Sequence, residues 1–248
     1  MIKLVNIYKS FGRQKVLDGL TLDIEDGKTT VIIGGSGGGK SVLLKHIIGL
    51  LKPDSGQVIV DDVDIASLND RDLNEVRKKF GMLFQEAALF DSMNVMENVA
   101  FPLREHTRKK EKEIREIVKE RLRAVGLTGI EDKMPSELSG GMRKRVGLAR
   151  AIALHPQIVL FDEPTTGLDP VMTEAINELI VETQEKFNLT CVVISHDVQS
   201  IFTVGHKIAM LYEGRIIEYG TPDKIKMSSN PVLRQFLSGS LEGPISVM

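Results

Sequence analysis

The sequence predicts an α/β protein in which buried strands alternate with amphipathic helices. Short runs of continuous apolar residues, at 30–33, 158–161 and 191–194, are typical of strands covered on both faces of a parallel sheet. A glycine-rich turn joins the first run to a helix-like stretch over residues 42–51. The 248 residues, 42% hydrophobic and 27% charged, have the composition of an ordinary globular α/β domain with a substantial core.

The first half of the chain predicts strands and then helices. Residues 20–24 and 28–33 flank a short turn and predict an antiparallel hairpin, and residues 56–60 predict a further strand. Over residues 85–155 the spacing of apolar and polar residues becomes typical of helices, and we interpret this segment as an inserted helical subdomain. Its clearest apolar stripe consists of Ile114, Ile117, Val118, Leu122 and Val125.

The second half returns to alternating strands and helices. Residues 207–219 predict a hairpin that turns at Glu213 and Gly214. We expect residues 1–230 to form the main domain and residues 231–248 to form a C-terminal tail. The apolar residues of this tail have helical spacing, which predicts a helix that buries its stripe on a partner.

The glycine-rich turn has the spacing G-x-x-x-x-G-K-[ST], that of a phosphate-binding P-loop. Its residues are Gly34, Gly35, Ser36, Gly37, Gly38, Gly39, Lys40 and Ser41. Glycines allow backbone N–H groups to curl around an anion, and the helix that follows adds its partial positive charge. Lys40 then reaches the β- and γ-phosphates and Ser41 binds Mg²⁺. An isolated glycine-rich turn is more often a flexible loop, but the preceding strand and following helix favour the P-loop.

Two carboxylates end the apolar run at 158–161. We expect Asp162 to hold Mg²⁺, through water, and Glu163 to accept a proton from an attacking water molecule. The alternative is a strand end capped by a turn, which is the better interpretation of an isolated Asp-Glu-Pro. The P-loop elsewhere in the chain favours the catalytic interpretation.

A second candidate anion site lies in the segment Leu-Ser-Gly-Gly-Met at 138–142. Ser139 is placed to cap a helix, and Gly140 and Gly141 leave backbone N–H groups open for an anion. The helix is predicted from apolar or small residues at helical spacing. These are Met142, Val146, Ala149 and Ala153.

At this point the chain resembles the ATP-binding cassette (ABC) ATPases, whose signature is LSGGQ-like. Further motifs follow the family's order: an adenine-stacking aromatic at Phe11, a glutamine switch and Mg²⁺ ligand at Gln85, a D-loop ending at Asp169, and a catalytic switch histidine at His196. The resemblance implies a P-loop NTPase with a RecA-like core, an N-terminal antiparallel β subdomain and an inserted helical subdomain. It also implies ATPase activity, with ATP and Mg²⁺ as cofactors.

Each of these residues has a plainer interpretation. Phe11 as a single aromatic is a core candidate, Gln85 a solvated turn residue, and His196 a histidine held by local hydrogen bonds. Met142 departs from the family, which usually has glutamine there, and a thioether cannot replace the hydrogen bonds of an amide.

The family resemblance implies partners. Two chains would meet head to tail as a homodimer, with each ATP between Lys40 of one protomer and Ser139 of the other. A membrane permease would dock around residues 85–101, on apolar residues that are equally good candidates for the core of the helical subdomain. These are Ala87, Ala88, Leu89, Phe90, Val95 and Met96.

Three short segments narrow the resemblance. Residues 101–107, 134–142 and 234–239 are similar to the ATPase subunits of Mla-type phospholipid transporters. This implies phospholipid transport between the inner membrane and a periplasmic carrier, with a permease and a periplasmic MCE-domain lipid-binding protein as partners. A non-transport regulatory cassette of the cell-division type, or an ABC ATPase for another substrate, remains as an alternative. DNA-repair and translation-factor ATPases fit less well.

Bulk properties agree with this placement. The net charge of −2 argues against nucleic acid as a partner. The apolar runs are shorter than the roughly 20 residues that a membrane-spanning helix needs, and the start of the chain lacks a signal-peptide pattern. We therefore expect a cytoplasmic protein, peripheral on the cytoplasmic face of the inner membrane. Cys191 is the single cysteine, so no internal disulfide forms.

Overall fold

The computed structural model describes residues 1–246, which contain both strands and helices. The strands are β1 Ile2–Phe11, β2 Gln14–Ile24, β3 Thr29–Ile33, β4 Ser55–Val60, β5 Val63–Asp64, β6 Phe80–Leu83, β7 Ile158–Asp162, β8 Thr190–Ile194, β9 Lys207–Tyr212 and β10 Arg215–Gly220. The helices are α1 Lys40–Ile47, α2 Asp70–Arg77, α3 Val95–His106, α4 Glu111–Ala124, α5 Gly140–Ala151, α6 Pro170–Phe187, α7 Val198–Val204, α8 Pro222–Met227 and α9 Pro231–Ser238.

The chain folds as two compact units. The first contains Met1–Leu73 and the chain from Val192 onwards, and the second contains Asn74–Cys191. In the first unit, β2, β1, β4 and β5 form an antiparallel sheet in that order, as expected for the N-terminal β subdomain. Strands β10, β9, β3 and β8 follow one another in a second sheet.

The predicted hairpin between residues 20–24 and 28–33 is wrong. β2 pairs with β1, with Ile2 opposite Ile24, whereas β3 runs parallel to β9 in the other sheet, with Thr30 opposite Lys207. Burial explains the separation, since residues alternate between buried and exposed from Leu20 to Ile24 but all five residues of β3 are buried. A strand buried on both faces belongs inside a layered sheet, so the turn between these strands connects two sheets.

The predicted hairpin at residues 207–219 is confirmed. β9 and β10 are antiparallel, and Glu213 and Gly214 both have left-handed backbone angles, with φ of 47° and 76°. Two consecutive residues of positive φ match the twist of the flanking strands, which explains the short connection.

The second unit contains helices and the parallel pair β6 and β7, with Leu83 opposite Phe161. Helices α3, α4 and α5 all fall within residues 85–155, although the domain boundaries themselves stay predictions. The predicted apolar stripe of α4 faces inward, because all its members are buried except Ile117, which is half-buried.

The C-terminal tail begins with the predicted helix. Leu233 is fully buried, and the amide side chain of Gln235 donates to the carbonyl oxygens of Ser240 and Ile245 and accepts from the Ile245 N–H. The tail is thus folded back on its own helix. Val247 and Met248, which the tail was predicted to include, lie outside the described residues. Within residues 1–246, none of the helices is both long and apolar enough to cross a bilayer.

Candidate functional site

The glycine-rich turn lies between a buried strand and a helix, as the sequence predicts. β3 leads into it, and α1 begins at Lys40, two residues earlier than expected, and ends at Ile47. Gly34 has φ of 154°, and a Cβ there would run into the carbonyl oxygen of Leu211. Gly39 caps α1 with φ of 95°. Both positions need glycine, so the local backbone explains the motif.

Lys40 is the cation of this loop. Its side chain is only 6% exposed, and Nζ donates to the carbonyl oxygens of Gly34 and Gly35, both at 2.9 Å. These bonds offset part of the cost of burying an ammonium group. The first turn of α1 carries no acidic residue, so the helix N-terminus and Lys40 together make a positive site that suits phosphate. Ser41 is exposed in this turn, which suits a metal ligand.

His196 lies at the end of a strand next to the P-loop strand. β8 neighbours β3, and the N–H of Ser195 donates to the carbonyl oxygen of Ile32 at 3.4 Å. The chain therefore leaves both strands at the same edge, with His196 exposed and Asp197 capping α7. This arrangement brings His196 to the edge from which the P-loop starts.

Phe11 ends β1 and is 47% exposed, so it is not a core residue. Lys9 Nζ lies 5.7 Å from the centroid of its ring and donates to Asp54 Oδ1 at 2.8 Å. An exposed ring suits adenine stacking, which stays a prediction.

The predicted carboxylates lie in the second unit, at the end of β7. Asp162 is the last residue of this strand, and Glu163 follows it with φ of 49°, an uncommon conformation for a residue with a side chain. Thr166 Oγ1 donates to Glu163 Oε2 at 3.1 Å. This hydrogen bond ties one oxygen of the carboxylate to the loop that follows it.

Gln85 lies at the same edge of the sheet as Glu163. Leu83 is opposite Phe161 in the parallel pair of β6 and β7. Gln85 and Glu163 each lie two residues beyond these partners, so they leave the sheet at equivalent positions. The side chain of Gln85 is exposed, and its carbonyl oxygen accepts a hydrogen bond from Lys144 Nζ.

The signature segment caps a helix, as predicted. Ser139 Oγ accepts from the N–H of Met142 at 3.3 Å and thereby caps α5. Gly141 is buried, and a Cβ on it would collide with the side chain of Met172 in α6. Gly140 has more room, since a Cβ on it would lie 3.6 Å from Leu168 Cδ2, an ordinary contact distance.

Asp169 has a clear local role. Its Oδ1 accepts from the N–H groups of Val171 and Met172, both at 3.0 Å, and caps α6, whose first residue is Pro170. This cap accounts for an aspartate at the end of the D-loop segment, and a contact with nucleotide stays a prediction.

Sequence reasoning missed Lys144. It lies in α5, is 6% exposed, and shares a helix face with Gly147 and Ala151. Burial lowers its pKa below the usual lysine value, and the negative charges of Glu86 and Glu163 oppose that shift. A lysine on an otherwise small and apolar face is the signal that could have revealed it.

A groove of about 790 Å³ opens in the second unit. Phe84 and Phe90, 40% and 41% exposed, line it together with Phe101, and Arg150 lies beside them. The apolar residues predicted to dock a permease were equally good candidates for the core of the helical subdomain, and the structure divides them between groove and core. Ala88 and Phe90 line the groove, whereas Ala87, Val95 and Met96 are buried in the core. Leu89 is half-buried and is not among the residues that line the groove.

Comparison with known families decides to which family the chain belongs. The sequence model of the family described as ABC transporter matches residues 17–166, which include the P-loop, the signature segment and both carboxylates. The chain belongs to the ABC transporter family. As an ABC ATPase it binds and hydrolyses ATP.

Curated relatives align with this ABC ATPase over nearly its whole length. A "Probable ribonucleotide transport ATP-binding protein mkl" of Mycobacterium leprae is 48% identical over 99% of this chain and 71% of its own. An "Intermembrane phospholipid transport system ATP-binding protein MlaF" of Haemophilus influenzae is 44% identical over 99% of this chain and 93% of its own. The MlaF of Escherichia coli K12 is 42% identical over 94% and 87%.

Solved structures share the fold of this ABC ATPase. A dimeric post-hydrolysis state of the ATP-binding cassette MJ0796, bound to ADP and Pi, matches with a TM-score of 0.81 and 34% identity, over 89% of this chain and 98% of that one. CbiO1 from Clostridium perfringens, part of a transporter complex, matches with a TM-score of 0.84 and 31% identity, over 91% and 90%.

Proposed function

We propose that this chain is the ATP-hydrolysing subunit of an ABC transporter that moves phospholipids between the inner membrane and a periplasmic carrier. The observation that supports it best is the 42–44% identity to MlaF proteins over 94–99% of this chain. The lipid-transporter-like segments at 101–107, 134–142 and 234–239 agree with it.

ATP is bound, in this proposal, with its phosphates on the P-loop and its adenine on Phe11. The loop formed by Gly34, Gly35, Ser36, Gly37, Gly38 and Gly39 supplies N–H donors, and Lys40 supplies the positive charge. Ser41, Gln85 and Asp162 have the oxygen donors that Mg²⁺ prefers. The ion would neutralise charge on the phosphates when bound.

Glu163 is the proposed general base. Its carboxylate accepts a proton from the attacking water, and the hydrogen bond from Thr166 keeps one oxygen fixed while the other takes the proton. We assign to His196 a role at the γ-phosphate, for which its exposed position at the P-loop edge is suitable.

The working unit is proposed to be a homodimer. The dimeric MJ0796 cassette, 34% identical to this chain, supports it. In such a dimer the N-terminus of α5, with Ser139, Gly140 and Gly141, contacts the ATP bound to the partner's P-loop, and Asp169 lies nearby. The capped helix end supplies N–H groups and a partial positive charge for that contact.

A membrane permease is the proposed partner at the groove lined by Phe84, Phe90 and Phe101. Exposed Phe84 and Phe90 beside Arg150 form an apolar surface of the kind that receives an amphipathic helix. We expect Phe90→Glu to reduce copurification with the permease strongly. Val63→Glu is the control, since Val63 is similarly exposed at 43% on a strand of the first unit. Equal copurification of the two variants would contradict docking at the groove.

The localisation of this chain follows from its proposed binding to a membrane permease. We propose that the chain is peripheral on the cytoplasmic face of the inner membrane, in a complex that includes a periplasmic MCE-domain lipid-binding protein.

A different substrate is the second candidate function, because relatives 47–48% identical to this chain are named for ribonucleotide transport. A regulatory cassette of the cell-division type also remains. Purification of the native complex, with identification of its subunits and bound small molecules, separates the three. Phospholipid transport predicts bound phospholipid and ATP-dependent transfer of labelled lipid to an acceptor. A complex that holds nucleotide cargo or a cell-wall regulator, with no lipid, would reject it.

A further inference from the structure

Lys144 and Lys40 of the P-loop are the two buried lysines in residues 1–246, and each is 6% exposed. A lysine is rarely buried without partners, because removing an ammonium group from water is costly. On the solvent-facing side of α5 a lysine would carry no such cost. Its place on the inner face therefore needs a compensating interaction.

The backbone of the glutamine loop provides that interaction. We use this name for residues 84–88, which follow β6. Lys144 Nζ donates to the carbonyl oxygen of Gln85, and Arg150, from the same helix, donates to the carbonyl oxygens of Ala87 and Ala88 at 2.7 and 2.8 Å. Two basic side chains of α5 thus hold three carbonyl groups of the loop backbone.

Close packing makes this attachment stiff. Gly147 lies between the two basic residues on α5, and a Cβ there would meet Leu83 Cδ1 at 2.7 Å and Ala87 Cβ at 3.1 Å. Ala87 and Ala88 both have positive φ, of 59° and 46°. A loop with strained angles keeps its shape only when its surroundings hold it. The helix and the glutamine loop are therefore expected to move together.

The charge of Lys144 also acts on Glu163, the proposed general base. Gln85 and Glu163 follow paired strands at equivalent positions, and Lys144 interacts electrostatically with Glu163 and with Glu86. Ser139 caps the same helix five residues earlier, about 7.5 Å along the helix axis. One short helix thus connects three candidate functional elements of the second unit.

We propose that Lys144 is a positioning residue that fixes the glutamine loop, which lies beside Glu163 at the edge of the sheet, to the signature end of α5. This inference rests on the proposed roles of Ser139, Gln85 and Glu163 in ATP hydrolysis. In this proposal, a movement of the N-terminus of α5 on contact with ATP bound by the partner protomer is passed to Gln85 through the hydrogen bond from Lys144. The lysine itself does not contact the nucleotide.

The test uses the full-length protein with three substitutions at this position. Lys144→Met removes the charge and the hydrogen bond at similar length, Lys144→Gln keeps a donor without the charge, and Lys144→Arg keeps both. We expect Lys144→Met to lower kcat about 10- to 100-fold, since a charged hydrogen bond is lost, with ATP affinity changed less than about twofold. Lys144→Arg should recover most of kcat, and Lys144→Gln should fall between them.

A second readout does not depend on activity. Hydrogen–deuterium exchange of peptides covering residues 84–88 should rise in Lys144→Met and return towards the parental level in Lys144→Arg. Lys119→Met is the matched control, because it removes a lysine from the exposed side of α4, where it pairs with Glu116 at 3.7 Å. It should leave both kcat and exchange at 84–88 unchanged.

The outcomes separate this inference from the proposed function. If Glu163→Gln abolishes hydrolysis while Lys144→Met keeps the parental kcat, Lys144 has no positioning role and the catalytic assignment stands. A loss of kcat and ATP affinity together, without recovery in Lys144→Arg, indicates a role in stability alone and also overturns the inference. If Lys144→Met does not fold, Lys144→Gln and Lys144→Arg decide. A lower kcat in Lys144→Gln than in Lys144→Arg supports the inference, and the parental kcat in both overturns it. If Glu163→Gln hydrolyses ATP at the parental rate, Glu163 is not the general base. The proposed catalytic assignment is then overturned, and with it the basis of the inference about Lys144.

Discussion

Single residues at the two candidate sites differ in how the fold holds them. Lys40 is buried and bonded to the carbonyl oxygens of its own loop, whereas Glu163 keeps a strained backbone angle and a hydrogen bond from Thr166. In the proposed mechanism, the first arrangement holds a charge for ATP binding, and the second holds an oxygen for proton transfer. Their substitution should therefore affect different steps.

Lys40→Ala should weaken ATP binding, because it removes the charge opposite the phosphates. Glu163→Gln should preserve binding, since the amide oxygen still accepts from Thr166, but should lower the hydrolysis rate by about 10²–10⁴-fold through loss of the proton acceptor. Equilibrium binding of a fluorescent ATP analogue and steady-state hydrolysis measure the two effects. A near-parental rate in Glu163→Gln would identify a different base.

Phe11→Ala should raise the dissociation constant of ATP about fivefold while leaving the saturated rate mostly intact. The predicted stacking of this ring on adenine would be worth about 1 kcal/mol and would lie far from the γ-phosphate. Phe11→Tyr should be mild, because it retains the ring. The exposure of Phe11 means that its removal opens no core cavity, so thermal stability serves as the control. Unchanged ATP affinity in Phe11→Ala would remove it from the site.

At the scale of elements, helix caps explain much of the motif pattern. Ser139, Asp169 and Asp197 each accept from backbone N–H groups at the start of a helix. Ser139 and Asp169, which are expected to contact nucleotide, are thus also helix caps. His196 lies next to such a cap, Asp197. A substitution at these positions perturbs the helix as well as the contact.

The tail helix α9 makes a prediction about assembly. Leu233 is buried in the chain's own first unit, so truncation would expose its site, but Phe236 and Leu237 on the same helix are half-buried. We expect Phe236→Ser with Leu237→Ser to lower the yield of the dimer or permease complex and to leave ATP binding by the monomer intact. Arg234→Ser is the exposed control on this helix. Full complex yield from the double variant would restrict α9 to local packing.

At the scale of the whole molecule, the proposed homodimer predicts complementation. Chains that carry Lys40→Ala lack the P-loop half of a site, and chains that carry Ser139→Arg lack the signature half. A mixed dimer can assemble one site free of both changes, so mixing should recover part of the hydrolysis that each variant lacks. If mixed dimers form, as shown by two distinguishable tags, and no activity returns, each chain works alone.

The sequence by itself determined the elements whose cause lies in neighbouring residues. Continuous apolar runs predicted β3, β7 and β8, the glycine spacing marked the P-loop, and Ser139 predicted a helix cap. These depend on backbone angles and on side chains within one turn or strand, and the family's motif order then placed them in an ABC ATPase.

Only the tertiary structure decided which segments meet. The turn between β2 and β3 predicts a hairpin, but long-range pairing with β1 and β9 separates them into two sheets. The exposure of Phe90 beside buried Val95 follows from the packing of the helices, as does the burial of Lys144 against Gln85. Local sequence specifies conformation, whereas burial and pairing depend on partners distant in the chain, which periodicity cannot identify.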